Sequence, residues 1–220
     1  MTSLKGALTI QGLHKTLARR NVLNDLSWVV ERNTRVGLVG PNGSGKTTLL
    51  KVIAGFSLFD SGVVTVLDQR LDGRRHRIPS GIGVALEACS MLPQFTGLAN
   101  LTLLARLSGS DVQEAGAALE RVGLDPGDKR RVREYSLGMR QRLNLAQALM
   151  GTPAMLLLDE PTNGLDTEGL ELFSEICRNL QDSTVVMATH QLDIAKELCD
   201  QIWLLSEGKV ILQSERTAVR

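Results

Sequence analysis

Cysteine is scarce: Cys89, Cys177 and Cys199 are three in 220 residues, odd in number and without CxxC spacing, which excludes a disulfide framework. Reduced, partly buried thiols are the expectation. The three histidines, His14, His76 and His190, are equally scattered and give no zinc-site spacing. An excess of either charge is missing too, with 25 Lys and Arg against 24 Asp and Glu, so neither a broad polyanion-binding surface nor a nucleic-acid partner is expected. The short basic run "DGRRHR" at 72–77 reads as a solvated loop. No stretch approaches the roughly 20 apolar residues that cross a bilayer, and "MTSLKGALTIQGL" lacks the apolar segment of a leader, so a cytoplasmic chain is expected. No repeat or low-complexity tract occurs. What remains is an ordinary globular composition, 43% apolar and 22% charged, long enough for one core or a core plus a small subdomain.

The hydrophobic pattern changes along the chain. "ALTIQGL", "LSWVV" (Leu26, Trp28 and Val30 on one face) and "GVVTVL" alternate as strands of a half-solvated sheet do. "RVGLVG" is a compact apolar strand that runs into glycines and then into "KTTLLKVIAG", which has helical spacing and stops at Gly55. Apolar residues fall three and four apart in "LANLTLLARLSG", "DVQEAGAALERVGL" and "MRQRLNLAQALM", so 88–150 reads as a helical subdomain. "AMLLLDE" and "TVVMATH" are apolar strands on either side of the helix-like "TEGLELFSEICRNLQ", a parallel βαβ pattern. "IWLLSEGKVIL" reads as a hairpin turning at Glu207 and Gly208. The fold class is α/β: a mainly parallel core from 1–87 and 151–220 that carries an N-terminal antiparallel β subdomain, with the helical block inserted.

Three stretches carry chemistry. Gly40, Pro41, Asn42, Gly43, Ser44, Gly45, Lys46, Thr47 and Thr48 fit the pattern G-x-x-x-x-G-K-[ST] between a strand and a helix. Glycines there let backbone N–H groups close around phosphate oxygens, and the helix adds its positive N-terminal end. Lys46 suits the β and γ phosphates, and the Thr47 hydroxyl suits Mg²⁺. "MLLLDE" ends a strand in Asp159 and Glu160, at the edge where open α/β sheets bind ligands; Asp159 suits Mg²⁺ and Glu160 suits proton transfer from an attacking water, although paired acids at a strand end also suit a helix N-cap. A third stretch, "YSLGMRQRLNLAQAL", places Ser136 and Gly138 at a helix start.

These motifs in this order resemble the nucleotide-binding subunit of an ABC transporter, over nearly the whole chain. The resemblance implies a P-loop ATPase with ATP and Mg²⁺ as cofactors, working as a dimer of like or similar chains with a separate membrane permease subunit, on the inner face of the membrane. "YSLGM" is similar to the family's signature motif, whose Ser136 and Gly138 would cap the γ-phosphate held by the other subunit. Asp166 in "NGLD" would touch the partner, and His190 would be the switch histidine. Two positions depart from the family. Leu17 stands where relatives carry an aromatic residue for adenine, and Glu87 after "IGVAL" stands where they carry a glutamine near Mg²⁺ and the water; Gln94 is the alternative alignment. Glu87 and "YSLGM" together resemble transporters that give bacteria immunity to lantibiotics and related peptide antibiotics. A soluble ABC-type ATPase acting on DNA or ribosomes, and a module that binds ATP without hydrolysing it, are the alternatives.

Overall fold

The structure, a computed structural model, describes residues 6–86 and 91–215. Glu87 and Cys89 lie outside the described residues.

In chain order the elements are β1 (Leu8–Leu17), β2 (Arg20–Val30), β3 (Arg35–Val39), α1 (Lys46–Ile53), β4 (Ser61–Val66), β5 (Gln69–Leu71), β6 (Ile82–Ala85), α2 (Gly97–Ser108), α3 (Glu114–Arg121), α4 (Leu137–Leu149), β7 (Met155–Asp159), α5 (Thr167–Asn179), β8 (Thr184–Thr189), α6 (Leu192–Leu198), β9 (Gln201–Ser206) and β10 (Lys209–Glu215). One sheet is antiparallel, in the order β2-β1-β4-β5. The other runs β10-β9-β3-β8-β7-β6, with all pairs parallel except β10 against β9.

Side chains of the central strands divide by their period of two. Met155 and Leu157 join Val36, Leu38, Val186 and Ala188 in a core with α1 and the antiparallel sheet. Leu156 and Leu158 point the other way, into a second core with Ala85, Val185, Met187, Phe173 of α5 and the buried faces of α2, α3 and α4. A sheet covered on both faces explains why these strands read as continuous apolar runs. The Trp28 and Trp203 rings, 4.8 Å apart, tie the two sheets together.

The far end of α4 lies directly on the parallel sheet: Asn144 Nδ2 donates to Leu86 O at 2.6 Å and Gln147 Nε2 to Val84 O at 3.3 Å. Gly83 is required there, because a Cβ would run into the Ala148 carbonyl oxygen. Two short elements escape a sequence reading. β5 has three residues behind a turn at Leu67 and Asp68, both left-handed, and α6 has seven residues, too few for a helical period to show.

Candidate active site

β3 is buried from Val36 to Val39 and delivers the chain to Gly40, where a Cβ would run into the Leu205 carbonyl oxygen and lie 2.8 Å from Ser44 Oγ. Gly43 and Gly45 then take left-handed conformations, φ 80° and 109°, that only glycine adopts freely. The loop therefore turns back on itself before α1 begins at Lys46. The first N–H groups of α1, like those of any helix, have no partner within the helix and are available to an anion.

Lys46 is 5% exposed. Its ammonium donates to the Gly40 carbonyl at 2.7 Å and the Pro41 carbonyl at 3.2 Å, and lies 3.7 Å from Glu160 Oε1. Glu160 follows the fully buried β7 and has φ 47°, a conformation unusual for a residue with a side chain. It is over-determined by its neighbours. Its N–H donates to Ala188 O at 2.8 Å, its carbonyl accepts from Gln141 Nε2 at 3.0 Å, and its Oε2 lies 2.9 Å from His190 Nδ1. Strain fixed in this way is characteristic of functional sites.

A cleft of about 930 Å³ lies over these groups. Pro41 through Thr48 line it together with Glu160, Asn163 and His190, and so do Arg20, Asn21, Val22, Ser206, Glu207 and Gly208. Gly40 shapes the loop without lining the cleft, and Asp159, 1% exposed, lies at the end of β7 beneath it. Of the lining residues, those of the β1–β2 hairpin and the β9–β10 turn were not among the sequence candidates. They come close because Gly208 N donates to Ser44 O at 3.1 Å and Asn24 N donates to Gly208 O at 2.9 Å. No local signal announces such a meeting of distant turns.

The loop fits a triphosphate. Ser44 Oγ is buried with no hydrogen-bond partner, a Cβ at Gly43 would stand in open space, and the buried Lys46 lines the cleft. Among the described residues no group of three or more His, Cys, Asp or Glu converges to hold a metal alone. Thr47 and Asp159 are the hard oxygen donors suited to Mg²⁺ that arrives with phosphates, its usual mode of binding.

Ser136, Gly138 and Asp166 do not line this cleft. Ser136 caps α4, its Oγ accepting from Met139 N at 3.1 Å, and Asp166 caps α5, its Oδ1 accepting from Gly169 N at 2.9 Å. The two helix starts interlock through glycines: a Cβ at Gly138 would lie 2.9 Å from Gly164 O, and one at Gly164 would collide with Leu137. The candidates thus fall into two groups, a cleft and a separate edge.

No helix among the described residues is long and apolar enough to cross a membrane. The family model described as "ABC transporter" matches residues 23–163. The chain is 37% identical over 207 residues to the uncharacterized ABC transporter ATP-binding protein YdbJ of Bacillus subtilis, covering 92% of this chain and 67% of that one. It is 33% identical over 210 residues to the lantibiotic transport ATP-binding protein SrtF of Streptococcus pyogenes, covering 94% and 90%. The solved dimeric structure of MJ0796, a bacterial ABC transporter cassette, shares the fold with a TM-score of 0.83 at 22% identity, over 96% of this chain and 99% of that one. With the loop at Lys46, the strand-end acids and the helix capped by Ser136 in the family's order, the chain belongs to the ABC transporter family.

Proposed function

We propose that this chain is the ATP-hydrolysing motor of an exporter whose membrane path belongs to a separate permease subunit, at the cytoplasmic face of the membrane. The observation that carries the reading is the convergence of Lys46, Glu160 and His190, with separations of 3.7 and 2.9 Å, over a loop shaped for phosphates.

Lys46 would exchange its carbonyl and Glu160 partners for β and γ phosphate oxygens. Glu160 would accept the proton of the attacking water, and His190 would hold the carboxylate in place. Thr47 and Asp159 would hold Mg²⁺, which supplies neutralising charge to the phosphates.

Ser136, Gly138 and Asp166 lie outside their own chain's cleft, which supports a dimer in which each chain completes the site of the other. The dimeric state of the MJ0796 cassette is consistent with this. Closure around ATP buries the phosphates between chains, and hydrolysis removes that attraction and lets the pair open. The name of the lantibiotic transport relative, together with "YSLGM" and Glu87, favours a peptide antibiotic as cargo. Glu87 would act near the water and the permease, so Glu87→Gln is expected to keep ATP binding and change turnover or coupling.

The test is phosphate release from MgATP by the purified chain, alone and with its permease, together with peptide resistance of cells that carry both. Lys46→Ala should abolish release and resistance. Phosphate release undiminished in Lys46→Ala would refute the catalytic assignment, and resistance independent of Lys46 would refute the cargo.

A further inference from the structure

α2 and α4 begin beside each other, and each start is capped by a hydroxyl. Thr96 Oγ1 accepts from Ala99 N at 3.2 Å at the start of α2, as Ser136 Oγ does from Met139 N at the start of α4. The segments leading into them run side by side: Val132 N donates to Phe95 O at 2.9 Å, Arg133 N donates to Pro93 O at 3.1 Å, and Thr96 bridges Arg131. Tyr135, the residue before Ser136, lies between the two starts and is 5% exposed.

Tyr135 is held at several points. Its ring belongs to the second core, with the Arg130 guanidinium 5.9 Å from the ring centre. Its carbonyl accepts from Arg140 Nη1 at 2.6 Å, near the start of α4. Its phenol oxygen sits against Gly97, the first residue of α2, whose N–H stabilises it as a hydrogen-bond donor. The fit has no slack. A Cβ on Gly97 would stand 2.9 Å from that oxygen, whereas Leu143 Cδ1 and Leu119 Cδ2, at 3.5 and 3.6 Å, would be in ordinary contact. Gly97 is not among the left-handed glycines, so its backbone would accept any residue, and a helical glycine is unfavourable relative to alanine. Space for the phenol is what requires a glycine there.

We propose that Tyr135 is a positioning residue, whose phenol set against Gly97 fixes where Ser136 stands when it meets the triphosphate held by the partner chain; this rests on the two-chain reading given above. Ser136 is exposed and cannot be located by packing of its own. It takes its place from the buried residue one peptide bond before it. A ring anchored through both its oxygen and its carbonyl cannot shift without carrying Ser136 with it, and a shift of about 1 Å in a contacting group is enough to cost up to about a hundredfold in rate. The start of α2 and the partner's γ-phosphate are therefore linked through one side chain.

The experiment measures, on the full chain, the dimer dissociation constant by sedimentation with a slowly hydrolysed ATP analogue and Mg²⁺, the nucleotide affinity of the dilute single chain by fluorescence titration, and phosphate release from MgATP. The variants are Gly97→Ala, Tyr135→Phe, the two together, and Ser136→Ala with and without Gly97→Ala. Gly97→Ala should weaken the dimer and slow phosphate release by about tenfold, with single-chain affinity within about twofold of wild type. Tyr135→Phe, which removes only the phenol oxygen, should weaken the dimer by about three- to fivefold. Adding Gly97→Ala to it should cost nothing further, because the methyl group then has room. In a Ser136→Ala chain, Gly97→Ala should leave the dimer constant unchanged. The proposal is overturned by an unchanged dimer in Tyr135→Phe, by additive losses in either double variant, or by an equal loss of single-chain affinity, which would make Tyr135 a support for its own chain's cleft. A wild-type chain that binds nucleotide yet stays monomeric at every concentration would instead bring down the two-chain reading itself.

Discussion

Glu160→Gln removes one negative charge from a side chain that is 8% exposed and lies between Lys46, 3.7 Å away, and His190, 2.9 Å away. At 3.7 Å and an effective dielectric of 20, the attraction to Lys46 is about 4.5 kcal/mol before desolvation. The net contribution is smaller, because both buried ions have given up hydration and Lys46 keeps its bonds to the Gly40 and Pro41 carbonyls. The nucleotide-free variant should therefore lose about 1 to 3 kcal/mol of stability. ATP must compete with Glu160 for Lys46, and its γ-phosphate must then face the carboxylate. Gln removes both obstacles, so ATP affinity should rise by about tenfold, which corresponds to roughly 1.4 kcal/mol. Turnover should fall by about 10² to 10⁴, the usual contribution of a positioned base. Urea titration, MgATP calorimetry and single-turnover phosphate release measure the three effects. Unchanged or weaker ATP binding together with turnover within about threefold of wild type would refute the reasoning.

Gly40→Ala would push a methyl group against the Leu205 carbonyl and Ser44 Oγ, costing about 1 to 3 kcal/mol of stability in denaturant titrations. Because the displaced loop carries Lys46, ATP turnover should drop by about a hundredfold. Ser136→Ala removes the cap on Met139 N and should cost about 1 kcal/mol. It should leave ATP binding by the single chain intact yet reduce the ATP-dependent dimer on a sizing column. Burial raises the Cys177 thiol from 9.0 to about 12. Its share of stability is therefore full below pH 9 and lost between about pH 9 and 12, as the unfolded chain releases a proton that the folded chain retains. Urea midpoints measured across that range should fall less steeply in Cys177→Ala.

The strands around "RVGLVG", "MLLLD" and "TVVMAT" were legible because a sheet buried on both faces demands uninterrupted apolar runs, and the phosphate loop because its glycines and lysine are contiguous. Gln141 lies within "YSLGMRQRLNLAQAL", but its bond to the Glu160 carbonyl appears only when the start of α4 is laid beside the end of β7. The β9–β10 turn read simply as a hairpin, and α6 and β5 were too short to produce a period.

Local sequence, then, determined which segments become strand, loop and helix, and it set Lys46 in a glycine-rich loop and Asp159, Glu160 and His190 at strand ends, whereas the convergence of Lys46, Glu160 and His190 joins residues far apart in the chain. Tertiary structure alone decided that Glu207, Gly208 and Arg20 share a cleft with Ser44 and that Ser136 does not. Those relations depend on how the two sheets stack and how α4 leans on Gly164, contacts between residues far apart in the chain whose geometry no nearby residue encodes.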